Sequence, residues 1–250
     1  MRRNDRMLQS EDDGKPDSIL RRQFLEYGLK ITGIFLGGSL LSLTSVRRAT
    51  SALEGIGVVG SYPYAPHYAM LVRQYKCMGC NKCTEACSRV NGVPAYGYRN
   101  LVLKRDVSAG TAGERVEFLP VLCNQCNRPP CVKACPTKAT YKNKKNGIVM
   151  TDGKLCIGCK ACMASCPYSA RYYKKESMAV DKCDFCFQAR LAHGNTIPAC
   201  VEACPTQVYV FGDLNNQESE LHKLIHAPEG TVWVLRPEIG TMPNVFYQKD

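Results

Sequence analysis

The sequence predicts an α+β fold made of two similar halves, with hairpin insertions and an extended C-terminal tail. Three observations carry that prediction. All sixteen cysteines fall into four groups of four with none left over. Short strand and hairpin signals separate the groups. One short helix is expected beside each cysteine loop, so the order strand, loop, helix, strand recurs along the chain.

Residues 1–20 are polar and charged, and "LRRQFLEYGLKITGIFLGGSLLSLTSVRRATSA" follows. Arg21-Arg22-x-Phe24-Leu25 resembles a twin-arginine export signal, with Leu20 and Glu26 at two places where such signals usually carry other residues. The apolar run 31–46 is diluted by Gly33, Gly37, Gly38, Ser39 and Ser42. It is too short and too weak to span a membrane comfortably. Arg47 and Arg48 close it, and Thr50-Ser51-Ala52 offers a small-residue cleavage site. Residues 1–52 are therefore assigned to a signal, and the chain is expected not to span a membrane itself; an uncleaved anchoring helix is the alternative. A linker, 53–66, precedes a strand from Tyr68 to Arg73 that feeds the first cysteine loop.

"LVLKRDVSAGTAGERVEF" predicts a hairpin with strands near 101–107 and 114–119. "ATYKNKKNGIVMTD" predicts a second, turning at Asn146-Gly147, and "ARYYKKESMAVDKC" a third, near 170–173 and 178–181. "QVYVFGDL" reads as a strand, 217–226 as an amphipathic helix, and "TVWVLRP" and "NVFYQKD" as extended tail segments. Short helices are expected at 82–88, 130–134, 160–165, 185–192 and 199–203. One half then comprises 67–115 with 170–212 (cysteine groups one and four), the other 116–169 (groups two and three), and 213–250 is the tail.

The groups are Cys77, Cys80, Cys83 and Cys87; Cys123, Cys126, Cys131 and Cys135; Cys156, Cys159, Cys162 and Cys166; and Cys183, Cys186, Cys200 and Cys204. An even cysteine count raises disulfides as one reading, but thiols two residues apart cannot all reach distant partners. Zinc sites usually combine two C-x-x-C pairs or mix cysteine with histidine. The third group instead reads C-x2-C-x2-C-x3-C-P, the bacterial ferredoxin run, in which the fourth cysteine ligates a different cluster. The first group keeps that spacing with Ser88 in place of proline; the second stretches one gap and the fourth inserts a loop, and both end in Cys-Pro. Four [4Fe–4S] clusters in two ferredoxin-like dicluster halves are the expectation, with structural zinc and disulfides as the alternatives. Elements this short bury little surface alone, so the clusters are expected to act as internal staples.

The formal charge is +11; residues 1–52 hold nine of the 33 Lys/Arg and six of the 22 Asp/Glu, leaving +8 on the remainder. An oxidised four-thiolate cubane carries about −2, so four of them bring the loaded protein close to neutral. Basic chains commonly bind nucleic acid or anionic membranes; here Lys76, Lys82, Arg89, Lys133, Lys138, Lys154, Lys160 and Lys182 lie beside ligands and are read as balancing cluster charge, with no nucleic-acid partner. The histidines, His67, His193, His222 and His226, lie outside the cysteine loops and are read as surface or hydrogen-bonding residues, with a metal at the His222/His226 pair as the alternative. The run Lys142–Lys145 is read as solvated, and Trp233 and Phe246 as packing or docking the tail. Walker and G-x-S-x-G elements are absent.

"CNQCNRPPCVKACPTKAT", "CIGCKACMASCPYSAR" and "DKCDFCFQARLAHGNTIPACVEACP", in that order, resemble the iron–sulfur subunit of the dimethyl-sulfoxide-reductase superfamily across residues 67–247. The similarity is greatest to the exported tetrathionate, polysulfide and thiosulfate reductase iron–sulfur subunits and to the iron–sulfur protein associated with formate-dependent nitrite reduction. The resemblance implies one cluster on Cys77, Cys80, Cys83 and Cys204, a second on Cys123, Cys126, Cys131 and Cys166, a third on Cys156, Cys159, Cys162 and Cys135, and a fourth on Cys183, Cys186, Cys200 and Cys87. Some relatives place tryptophan where this chain has Cys159 and hold a three-iron cluster; here four full cubanes are implied.

The resemblance further implies a non-catalytic relay in anaerobic respiration. It would run between an integral-membrane quinone-reactive subunit and a molybdenum or tungsten bis-pterin catalytic subunit, with the first-group cluster nearest the latter. The alternative is a periplasmic relay from a membrane quinol dehydrogenase to a multihaem cytochrome nitrite reductase. A self-sufficient enzyme is disfavoured, because four cysteines per cluster leave no iron open to substrate.

Cluster insertion couples to folding, so a periplasmic multi-cluster protein is expected to be loaded in the cytoplasm and exported folded. The double substitution Arg21→Lys, Arg22→Lys should leave the protein in the cytoplasmic fraction. Its arrival in the periplasm in cells without an exported partner subunit would remove the signal reading.

Overall fold

The computed structural model describes residues 62–108 and 114–249. The signal-like segment, most of the linker and the turn of the first hairpin lie outside them. The order is β1 (Tyr68–Arg73), α1 (Lys82–Asn91), β2 (Asn100–Ser108), β3 (Glu114–Leu122), α2 (Pro130–Lys133), β4 (Thr140–Lys142), β5 (Val149–Thr151), α3 (Ala161–Ala164), β6 (Tyr172–Lys174), β7 (Ala179–Asp181), α4 (Ala199–Glu202), β8 (Tyr209–Asp213), α5 (Glu220–His226), β9 (Thr231–Trp233) and β10 (Val245–Lys249). Strands β2–β3, β4–β5 and β6–β7 form three separate antiparallel ribbons.

Proline governs helix length. In α2, α3 and α4 the chain makes one turn and then meets Cys-Pro, at Pro136, Pro167 and Pro205. Proline has no N–H and its ring clashes with the preceding turn. Ser88 stands in the corresponding place of the first group, so α1 continues for ten residues, to Asn91, and closes on Gly92 at φ +56°. Helix α1 packs on α4, and α2 on α3, which places groups one and four together and groups two and three together.

Four strands form the one larger sheet, in the order β8-β1-β10-β9. The run "AMLV" of β1 is apolar on both faces, as suits a central strand, and Ala69 to Val72 are fully buried. Met70 and Val72 face a core that includes Cys83, Cys183, Cys200, Tyr209 and Tyr247. Ala69 and Leu71 face a second layer formed with Val210, Leu214 and Leu221 of α5. The sheet thus stands between the cysteine loops and α5, whose N-terminus is capped by the Ser219 hydroxyl accepting from the His222 N–H at 3.1 Å.

Two expectations change here. Residues 185–192 are not an α-helix: the stretch turns irregularly and ends in a single 3-10 turn, Leu191–His193. Phe185 and Cys186 adopt φ of +55° and +56°, which a right-handed helix cannot contain. The tail is also part of the central sheet, because β10 runs parallel to β1 in the register Met70 to Val245 and Val72 to Tyr247. Trp233 of β9 stacks on Tyr247 with ring centroids 4.9 Å apart.

Tyr247 is fully buried and its hydroxyl has no hydrogen-bond partner among the described residues. Tyr247→Phe should therefore be near neutral. Tyr247→Ala should cost about 3–5 kcal/mol, read as an earlier midpoint of thermal bleaching of the iron-loaded protein; equal midpoints for the two variants would contradict the tail's place in the core.

Candidate metal centre

The four cysteine groups share a backbone device. The residue before the second cysteine is left-handed in each: Gly79 at φ +75°, Gln125 at +47°, Gly158 at +68° and Phe185 at +55°. Glycine reaches this region freely, and a side chain at 79 would strike the Phe118 ring. Gln125 and Phe185 adopt it under strain of about 1–3 kcal/mol each and are held from outside. Gln125 is 1% exposed; its Nε2 donates to the Cys183 carbonyl at 2.7 Å and its Oε1 accepts from the Val149 N–H at 2.8 Å. The Phe185 ring lies edge-on to Phe211.

A second device follows each Cys-Pro. Lys138, Ser169 and Gln207 are left-handed, and each N–H returns to the carbonyl of Cys135, Cys166 or Cys204. The chain then turns backbone donors onto sulfur: Thr140 N–H to Cys135 Sγ at 3.4 Å and Val208 N–H to Cys204 Sγ at 3.3 Å. Phe185 N–H donates to Cys183 Sγ at 3.4 Å, Val180 N–H to Cys156 Sγ at 3.5 Å, and the Tyr209 hydroxyl to Cys83 Sγ at 3.4 Å. Such donors stabilise thiolate over thiol.

All sixteen cysteines are free thiols. Cys77, Cys80 and Cys83 border one cavity with Cys204 of the fourth group. Cys183, Cys186 and Cys200 border another with Cys87 of the first. Cys126 is buried and its thiol is pushed up to about 12, by burial first and then by Cys123, with Cys131 and Cys166 adding to it, so all three lie near Cys126. Of the remaining set, Cys156 and Cys162 pack in one apolar cluster with Val149 and Val180, Cys135 is half-buried, and Cys159 is exposed.

Burial is the first cause that raises Cys77, Cys87, Cys126, Cys131, Cys183 and Cys200. Cys87 is pushed up to about 12 by burial and then by Cys186, against the pull of Arg99 and Asn91. Cys183 and Cys200 lie well above the ordinary range, again through burial first. At Cys135 burial is outweighed by the Thr140 N–H and the Thr137 hydroxyl, and the thiol falls below its usual value.

The cations are placed accordingly. Arg171 is 3% exposed and lies beside Cys131, Cys123 and Cys162. Lys182 is 2% exposed; its Nζ donates to the Cys183 carbonyl at 2.7 Å and to the Val149 carbonyl. Neither pairs with a carboxylate among the described residues. A lone buried cation costs several kcal/mol, and the sulfurs are the anions at hand. The donor set thus fits a strongly anionic group held by four thiolates. Among the described residues no three Cys, His, Asp or Glu side chains close on one point as a single ion requires, so a group larger than one ion suits the thiols better.

Other residues noted in the sequence fall differently. Lys82, Arg89, Lys133, Lys138, Lys154 and Lys160 are exposed, so the buried charge balance rests on Lys182 and on Arg171, which proximity in sequence does not reveal. Lys142 is half-buried, not solvated: its Nζ donates to the carbonyls of Cys126 at 2.8 Å and Gly147 at 2.6 Å, and burial lowers it to about 8. His67 is buried, with Nε2 3.0 Å from Asn244 Oδ1. His222 and His226 stack at 3.9 Å, each ring bonded to a backbone carbonyl through Nδ1.

A 4Fe–4S dicluster domain model matches residues 114–214, and a second 4Fe–4S dicluster domain model matches residues 76–139. A tetrathionate reductase subunit of Salmonella typhimurium is 35% identical over 237 residues, 91% of this protein and 87% of that one. A polysulfide reductase component of Wolinella succinogenes is 39% identical, covering 73% of this protein and 94% of its own length. The thiosulfate reductase electron transfer subunit PhsB of Salmonella typhi is 40% identical over 65% of this protein and 83% of its own length.

Proposed function

The chain belongs to the family of 4Fe–4S dicluster iron–sulfur subunits of reductase complexes, and from that membership we propose that it holds four [4Fe–4S] clusters and relays electrons in anaerobic respiration. The ligand sets are Cys77, Cys80, Cys83 and Cys204; Cys123, Cys126, Cys131 and Cys166; Cys156, Cys159, Cys162 and Cys135; and Cys183, Cys186, Cys200 and Cys87. The relay joins a membrane quinone-reactive partner to a molybdenum or tungsten bis-pterin catalytic subunit, on the extracytoplasmic face after twin-arginine export. Each cluster, when bound, supplies one-electron storage; the chain itself performs no bond chemistry.

One observation carries the reading. Only Cys80 and Cys159 of the sixteen ligands are exposed, one in each pair of groups, and the other fourteen are buried or half-buried. The pattern suits a wire: a largely dry interior with one accessible sulfur in each pair of groups. Apolar side chains stand beside both, Met78 at 58% exposure next to Cys80, and Leu155 and Ile157 at 53% and 66% next to Cys159, as partner contacts require. Between the halves, Gln125 of the second loop donates to the Cys183 carbonyl, and Lys182, beside Cys183, donates to the Val149 carbonyl of β5, which ties the second and fourth loops. Among the described residues, no helix is long and apolar enough to cross a membrane.

Affinity capture of the native complex followed by metal analysis tests the assignment. Molybdenum or tungsten should co-purify with the chain; haem in their absence would transfer the relay to a cytochrome partner.

A further inference from the structure

The first cysteine group departs from the other three at one position, Ser88 for proline, and α1 therefore runs on to Asn91. That extension has a cost. Cys135 and Cys204 each receive a backbone N–H four or five residues downstream, from Thr140 and Val208. In α1 the N–H groups past Cys87 are turned into the helix, and that donor is lost to Cys87. Asn91, four residues on and on the same helix face, takes its place. Its Nδ2 lies 3.6 Å from Cys87 Sγ and 3.4 Å from Cys186 Sγ, and also 3.0 Å from the Cys87 carbonyl.

The orientation of the amide is set by its other end. Asn91 Oδ1 accepts from Arg99 Nη1 at 2.9 Å. A guanidinium only donates, so the carbonyl must face Arg99 and the amino group must face the two sulfurs. Arg99 is itself fixed: Nε and Nη2 form a two-point pair with Asp181 at 3.0 and 2.8 Å, and Nη1 reaches Asp184 at 3.0 Å. Asp181 also accepts from the Tyr172 hydroxyl, on the oxygen that faces Arg99 Nε. Asn91 and Arg99 line the same cavity as Cys87, Cys183, Cys186 and Cys200.

We propose that Asn91, held by Arg99, is a positioning residue that raises the reduction potential of the cluster bound by Cys183, Cys186, Cys200 and Cys87, and of that cluster alone. The inference rests on the cluster assignment above. Reduction adds one electron and no atom, and the added charge spreads onto the sulfurs. A donor aimed at two of them strengthens as they become more negative, so it favours the reduced state. The other three sets have no corresponding asparagine, because their helices end at proline.

The test is an anaerobic redox titration of the iron-loaded full chain, followed by electron paramagnetic resonance, for wild type, Asn91→Leu and Asn91→Asp. Both variants should retain the wild-type iron and sulfide content. In Asn91→Leu one of the four midpoints should fall so that the reduced-to-oxidised ratio at a fixed potential drops about tenfold, about 59 mV for one electron. Asn91→Asp, which removes the donor and adds a negative charge, should lower the same midpoint further, and the other three should stay in place. Four unchanged midpoints, a shift shared by all four, or iron loss in both variants would overturn the proposal; the last would show a purely structural role. A wild-type chain short of four clusters would instead remove the assignment on which the proposal rests.

Discussion

A thiol buried in protein resists becoming a thiolate, and at Cys77, Cys87, Cys126, Cys131, Cys183 and Cys200 burial acts against ionisation. Cys183 and Cys200 show the conflict in its plainest form: both are buried, and both are pushed far from the ionised state by desolvation and by neighbouring cysteines. The local structure around the loops answers that conflict. Left-handed turns cost strain at Gln125 and Phe185, and backbone N–H groups are turned onto sulfur. Arg171 and Lys182 bring charge into an interior where unpaired cations are expensive. None of these features stabilises a neutral apolar core. The donors and the cations are favourable where the sulfurs are anionic, which is the state the proposed clusters require.

The same constraint explains the repetition. In the proposed assignment each cube takes three sulfurs from one loop and one from the helix end of another, and loops of nearly one design, tied in pairs, answer that demand. The α1–α4 and α2–α3 contacts bring the loops together in the same pairs. The lengths vary where the environment varies: proline ends three helices after one turn, whereas serine lets α1 extend, and the extension is put to use at Asn91. The four-stranded sheet then gives the first and fourth loops a wall, with β1 in the middle and α5 behind it.

Much of this was legible in the residues. Cysteine spacing is a covalent fact, and it alone grouped the sixteen sulfurs into four loops. Tyr68–Arg73 is readable because an unbroken apolar run between turn signals suits a doubly covered strand. What escaped was long-range. "NVFYQKD" carries no signal that it will pair with β1 rather than trail as a tail, because the pairing joins Met70 to Val245, far apart in the chain. The helix expected at 185–192 failed because helix propensity is a weak prior and the loop's need to wrap sulfur at Phe185 and Cys186 overrides it. The charge assignment held in part: nearness in sequence singled out Lys182, which is buried, together with Lys82, Arg89, Lys133, Lys138, Lys154 and Lys160, which are exposed, and it missed Arg171, which reaches the sulfurs through the fold. Arg99 and Asn91 form a network with Asp181 and Asp184 that no spacing rule describes.

The central claim is that the sixteen sulfurs are spent on iron cubes. Anaerobically prepared protein, assayed for iron and acid-labile sulfide, tests it most directly. The account predicts about sixteen of each per chain; a far lower iron content, or zinc without sulfide, would contradict it.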